Sequence, residues 1–214
     1  MGTRMFIVDD HPAVRLGLRS LISQEDDFEI VGEAASIGEA LEKVRALQPE
    51  IAIVDISFEK GRDGLELVQQ LSGEVKILVC SYHDERLFAE RALAAGARGY
   101  IQKSEVLDEV VNALRRIRKG EVYLSQRMSQ HLLRMIGHKR EDGISLMDLT
   151  NRELEVFKLL GIGCETWEVA ERLNLSPKTV AKHYENIMAK LNIQSKAKLL
   201  YHAVIWTREE QNSA

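Results

Sequence analysis

The run Arg4-Met5-Phe6-Ile7-Val8-Asp9-Asp10, followed by His11-Pro12, decides the fold of this chain. Arg4–Val8 is a short apolar stretch of strand length, and the two aspartates end it. Pro12 then suits the first turn of a helix whose apolar stripe runs through Val14, Leu18, Leu21 and Ile22. The same unit of strand, turn and helix recurs. Phe28–Gly32 precedes a helix through Ala40, Leu41, Val44 and Leu47; Ile51–Val54 precedes Leu65, Leu67, Val68 and Leu71. Val75–Cys80 precedes Leu87, Ala92 and Leu93, and Gly99–Ile101 precedes Val106, Val110, Leu114 and Ile117. Short β-rich runs alternating with helices predict a doubly wound α/β domain, a parallel sheet covered on both faces. Sites in such sheets lie at the carboxyl ends of the strands, where Asp9, Asp10, Asp55, Ser81 and Lys103 all fall.

Past Lys119-Gly120 the strand pattern stops, and a small all-α domain is expected. Ser125–Ile136 reads as a helix through Met128, Leu132, Leu133 and Ile136, and Gly137–Gly143 as a charged, glycine-bounded linker. From Asp148 four helices follow. Thr150-Asn151-Arg152-Glu153 forms a capping box for the first, and the others start near Glu165, Ser176 and Gln194. The division is therefore 1–120, a helical linker 121–147, and 148–214, in keeping with roughly 100 to 150 residues per domain.

Charge follows the same division. Residues 1–121 carry 16 Lys/Arg against 22 Asp/Glu, 16 − 22 = −6; residues 122–214 carry 13 against 11, +2. Arg172–Lys198 holds six basic residues and the single acid Glu185, the balance expected of an acidic regulatory half joined to a nucleic-acid-binding half. No stretch approaches the roughly 20 apolar residues of a membrane helix, and residues 1–6 lack the apolar region of a secretory signal, so a cytoplasmic protein without a membrane partner is expected. Cys80 and Cys164 are far apart and read as buried thiols; the six histidines show no HExxH-type spacing, which argues against a metallohydrolase.

Residues 4–119 resemble a response-regulator receiver domain. The likeness rests on Asp9-Asp10 after the first strand, Asp55 after the third, Ser81 after the fourth, and Tyr100 with Lys103 at the fifth. It implies a flavodoxin-like fold in which Asp55 accepts a phosphoryl group from a sensor histidine kinase. A Mg²⁺ ion held by Asp9, Asp10, Asp55 and the Ser57 backbone carbonyl would neutralise charge, and Lys103 would stabilise the phosphoryl oxygens. Ser81 would then turn to the phosphoryl group, and Tyr100 would rotate inward into the space it leaves. Two departures stand out. The resemblance implies Pro four residues after Asp55, where this chain has Glu59, and the loop to Asp63-Gly64 is longer by a residue. Ser57 argues against an aspartyl-nucleophile phosphatase, since it stands where that class has its second Asp.

Residues 148–206 resemble the LuxR-type helix-turn-helix of the NarL/FixJ regulators, through Leu149–Val156, Glu168-Val169-Ala170, Ser176–Val180, His183, Ile187, Lys190 and Leu191. Ser176 suits an N-cap and Pro177 the first helical position, so the recognition helix starts there, with Val180, Ile187 and Leu191 as its buried stripe. That stripe leaves Lys178, Thr179, Lys182 and Tyr184 for double-stranded DNA; the resemblance adds His183, with Lys190 or Lys196 as more distant phosphate contacts, and implies a homodimer on two half-sites. Ala181, Glu185 and Trp167 depart from the pattern, and they motivate a rival reading in which the helical domain binds a protein instead.

Overall fold

The computed structural model describes residues 2–58, 64–130 and 146–212. The chain divides into two compact units, Met1–Gly137 and His138–Ala214. In the first unit β1 (Thr3–Val8), α1 (Pro12–Ile22), β2 (Phe28–Ala34), α2 (Ile37–Leu47) and β3 (Ile51–Val54) are followed by α3 (Gly64–Leu71), β4 (Lys76–Ser81), α4 (Glu85–Ala94), β5 (Gly99–Gln102) and α5 (Val106–Arg118). All four strand pairings are parallel, in the order β2-β1-β3-β4-β5. The expected doubly wound sheet is thus present. Its winding reverses between β1 and β3, which opens a crevice at their carboxyl ends.

Strand periodicity sorts the core. Met5 and Ile7 of β1 point to one face, where they meet Ile53, Leu78 and Ile101 and pack on Leu18 of α1 and on Val110, Leu114 and Ile117 of α5. The Phe6 ring points to the other, against Gly32 and Leu47. β2 continues to Ala34, past the expected end at Gly32. This glycine does not stop the strand: a Cβ there would lie 2.7 Å from the Phe6 ring and 2.8 Å from Leu47, so its missing side chain makes room for both.

The linker does not begin at residue 121 in structural terms. The Tyr123 amide donates to the Arg98 carbonyl at 2.8 Å, its carbonyl accepts from the Tyr100 amide at 3.1 Å, and its ring is buried in the first unit's core. Residues 126–130 are helical, with the Ser125 hydroxyl accepting from the Met128 amide at 3.1 Å. Leu132, Leu133, Ile136 and the Gly137–Gly143 stretch lie outside the described residues, as does the Glu59–Asp63 loop.

The second unit holds a 3₁₀ turn (Leu146–Asp148) and four helices: α6 (Asn151–Gly161), α7 (Thr166–Arg172), α8 (Pro177–Lys190) and α9 (Lys196–Asn212). The Thr150/Glu153 capping box forms as read, and the Ser176 hydroxyl caps α8 by accepting from the Thr179 amide at 3.1 Å. Among the described residues no helix is long and apolar enough to cross a membrane.

Candidate functional site

At the crevice, Asp9 follows β1 and Asp55 follows β3, and both are 1% exposed. Lys103, carried in from the end of β5, places its Nζ 2.7 Å from Asp9 Oδ2 and 2.6 Å from Asp55 Oδ2. The remaining oxygens are held by the backbone: Asp9 Oδ1 accepts from the His11 amide and Asp55 Oδ1 from the Ser57 amide, each at 2.8 Å. Each carboxylate is therefore fixed in rotation before any ligand arrives. Burial alone would pull the Lys103 ammonium down. The Asp55 charge and the bonds to both aspartates outweigh it and hold the ammonium above its ordinary range.

Asp10 brings a third carboxylate, with its Oδ1 2.7 Å from His11 Nδ1. Ligand atoms of Asp9, Asp10, His11 and Asp55 lie within 4.8 Å of one another. Three carboxylates against one ammonium leave an anionic pocket of hard oxygen donors, and this fits a small divalent cation that retains some of its waters. The Ser57 amide is fixed on Asp55. His11 is a member of this cluster that the sequence reading passed over, since it has no metal-ligand spacing to mark it.

Ser81, fully buried at the end of β4, shares a hydrogen bond with Ser57 through their hydroxyls at 2.7 Å. Tyr100 is already inward: its ring is fully buried, and its hydroxyl donates to the His83 carbonyl at 2.9 Å. The expected rotation from an outward position is therefore not the geometry found here. The His83 carbonyl draws the phenol in, and burial pushes the Tyr100 phenol well above its ordinary range, which keeps it a donor. The His83 ring stacks on Phe88 of α4 at 4.3 Å. Two residues on, Glu85 accepts from the Ser125 amide at 3.1 Å and from the Ser125 hydroxyl.

On the second unit, Lys178, Thr179 and Lys182 lie on the exposed side of α8. Three assignments change. Tyr184 is buried because it falls four residues after Val180 and three before Ile187, on the inward stripe. His183 is half-buried, its Nδ1 has no hydrogen-bond partner among the described residues, and burial lowers its pKa, so it stays neutral and turned inward. Lys190 donates to buried Glu153 at 2.7 Å, which makes it a brace between α8 and α6. Lys182 pairs with Glu185 at 2.9 Å, so the departing acid sits on one of the exposed lysines of this helix. Trp167 is 58% exposed and donates from Nε1 to Glu165 at 2.9 Å.

Residues 5–115 match the response regulator receiver domain family, and residues 147–203 the bacterial regulatory proteins of the luxR family. The oxygen regulatory protein NreC of Staphylococcus haemolyticus is 34% identical over 209 residues, covering 94% of this chain and 96% of that one. NreC of Staphylococcus carnosus is also 34% identical, over 210 residues. Among solved structures, the Salmonella typhimurium RcsB response regulator superposes with a TM-score of 0.58 at 25% identity, covering 94% of this chain and 97% of RcsB. A LuxR-family two-component response regulator from Aurantimonas sp. SI85-9A1 gives 0.59 at 34% identity, covering 64% of this chain and 100% of that one. The chain belongs to the response regulators of the NarL/FixJ type, phosphorylation-regulated, DNA-binding transcription regulators rather than enzymes.

Proposed function

We propose that Asp55 is the phosphoryl acceptor and that a sensor histidine kinase is the donor. The observation that carries this reading is the Lys103 ammonium bridging Asp9 and Asp55 at 2.7 and 2.6 Å, with all three side chains almost wholly buried. An Asp55 oxygen attacks the phosphorus of the kinase phosphohistidine, the P–N bond breaks, and the imidazole leaves with the electron pair. Lys103 balances charge on the incoming phosphoryl oxygens. Asp9, Asp10 and Asp55, with the Ser57 carbonyl, would hold Mg²⁺, which supplies further neutralisation of that charge.

Ser81 then exchanges its Ser57 partner for a phosphoryl oxygen, and the inward Tyr100 reports this to the turn before α4 through the His83 carbonyl. The output is a homodimer on two DNA half-sites, with Lys178, Thr179 and Lys182 at the major groove. Such a regulator works in the cytoplasm, where its DNA lies.

Acetyl phosphate with Mg²⁺ should add one phosphoryl group to the intact protein, detected by mass, and Asp55→Ala should abolish it while circular dichroism stays unchanged. A phosphoprotein that survives Asp55→Ala would refute the assignment.

A further inference from the structure

Tyr82 follows Ser81 at the end of β4 and is 65% exposed. Two contacts nonetheless fix its ring. The Lys103 ammonium lies 4.8 Å from its centroid, and the His11 ring meets it edge-on at 6.4 Å with the planes 79° apart. His11 stands in the turn after β1 and Tyr82 in the turn after β4, the two strands that flank β3. The two turns therefore border the strand end that carries Asp55, one on each side, and the rings meet between them. Beneath them Asp9, Asp55 and the Lys103 side chain are almost wholly buried.

We propose that Tyr82, braced on Lys103 and His11, forms a wall of the pocket that keeps bulk water from phosphorylated Asp55 and so sets the lifetime of the acyl phosphate. The inference rests on Asp55 being the acceptor. Loss of the phosphoryl group needs a water oxygen to attack phosphorus. The P–O bond to Asp55 then breaks, the carboxylate leaves with the bonding pair, the water proton passes to solvent, and inorganic phosphate departs. A ring that thins the water at the pocket mouth slows this step. Cation–π attraction holds the ring in place, and both contacts are made by the ring rather than by the hydroxyl.

The full-length protein is phosphorylated with acetyl phosphate and Mg²⁺, the donor is removed by desalting, and the phosphoprotein is followed over time on a phosphate-affinity gel. Tyr82→Ala is expected to decay on the order of five-fold faster than wild type, and Tyr82→Phe at the wild-type rate. The exposed position lets both variants fold, which circular dichroism checks. Decay of Tyr82→Ala at the wild-type rate or slower overturns the proposal, as does decay of Tyr82→Phe as fast as that of the alanine variant. A wild type that takes no label, or a label that survives Asp55→Ala, overturns the Asp55 assignment and this inference with it. That outcome is read before any decay is measured.

Discussion

Lys190 and Glu153 join α8 to α6 through a 2.7 Å bond across 37 residues of chain, and the same Glu153 carboxylate accepts from the Thr150 amide at 2.8 Å. One acid thus completes a helix cap and anchors the recognition helix. Burial alone would raise the Glu153 carboxyl, but the bonds from Lys190 and Thr150 bring it below its ordinary value of 4.5.

Lys190→Ala is therefore expected to destabilise the second unit rather than only weaken DNA binding. The Glu153 side chain is 4% exposed and that of Lys190 36%, so solvent screening reduces the full cost of breaking a buried pair to about 1–2 kcal/mol. Trp167 and Trp206, the two tryptophans of the chain, both lie in this unit, so denaturation followed by tryptophan fluorescence reads it directly. An acid whose folded pKa is lowered stabilises above its unfolded pKa and loses that contribution as pH falls through the folded value. Wild type should show this acid-side loss below about pH 4.5, and Lys190→Ala should blunt it. Equal unfolding midpoints for variant and wild type would refute the brace.

On the groove face, Glu185 holds Lys182 in an exposed pair. Glu185→Gln should release the lysine for phosphate and raise affinity for unspecific DNA, on the order of two- to five-fold at low salt. The double variant Lys178→Ala, Lys182→Ala should weaken binding and flatten the salt dependence by about one unit of slope per lost phosphate contact. Fluorescence anisotropy over a salt series measures both, and an unchanged slope in the double variant would remove these lysines from the interface.

Glu85 behaves oppositely to Glu153. Burial raises its carboxyl, and the two Ser125 bonds offset this only in part. A raised folded pKa means that stability is fully present below the ordinary value near 4.5 and is lost as pH rises through the folded value. The first unit should thus lose stability on that rise, and Glu85→Gln should remove the loss. Circular dichroism of the transition that is silent in tryptophan fluorescence gives the test; an unaltered pH slope in the variant would contradict it.

The parallel sheet was readable because its strands are short apolar runs that end in acids, serines or a lysine, so Asp9, Asp55, Ser81 and Lys103 could be placed at strand ends from spacing alone. The helix-turn-helix was readable through its caps, Thr150 and Ser176. What escaped depends on rotamers and cross-chain partners, which periodicity does not encode. A stripe of Val180, Ile187 and Leu191 alone leaves Tyr184 for DNA, although its spacing from Val180 and Ile187 places it inside. Lys190 looked like a phosphate ligand until Glu153 appeared beneath it, and a cap acid gives no sign in sequence of a second partner. His11 and Tyr82 meet only because β1 and β4 both flank β3.

The Tyr123 bridge has a further consequence, for solubility. β5 ends the sheet, and an end strand offers unpaired backbone groups on which another chain can template. Tyr123 takes up the Tyr100 amide and the Arg98 carbonyl, so the polypeptide leaving α5 covers part of that border. A fragment stopped at Gly120 should therefore self-associate strand to strand and scatter light on concentration, whereas one extended to Gln130 should not. On this account the stretch just after α5 is expected to guard the first unit's sheet border against aggregation as well as to lead on to the second unit.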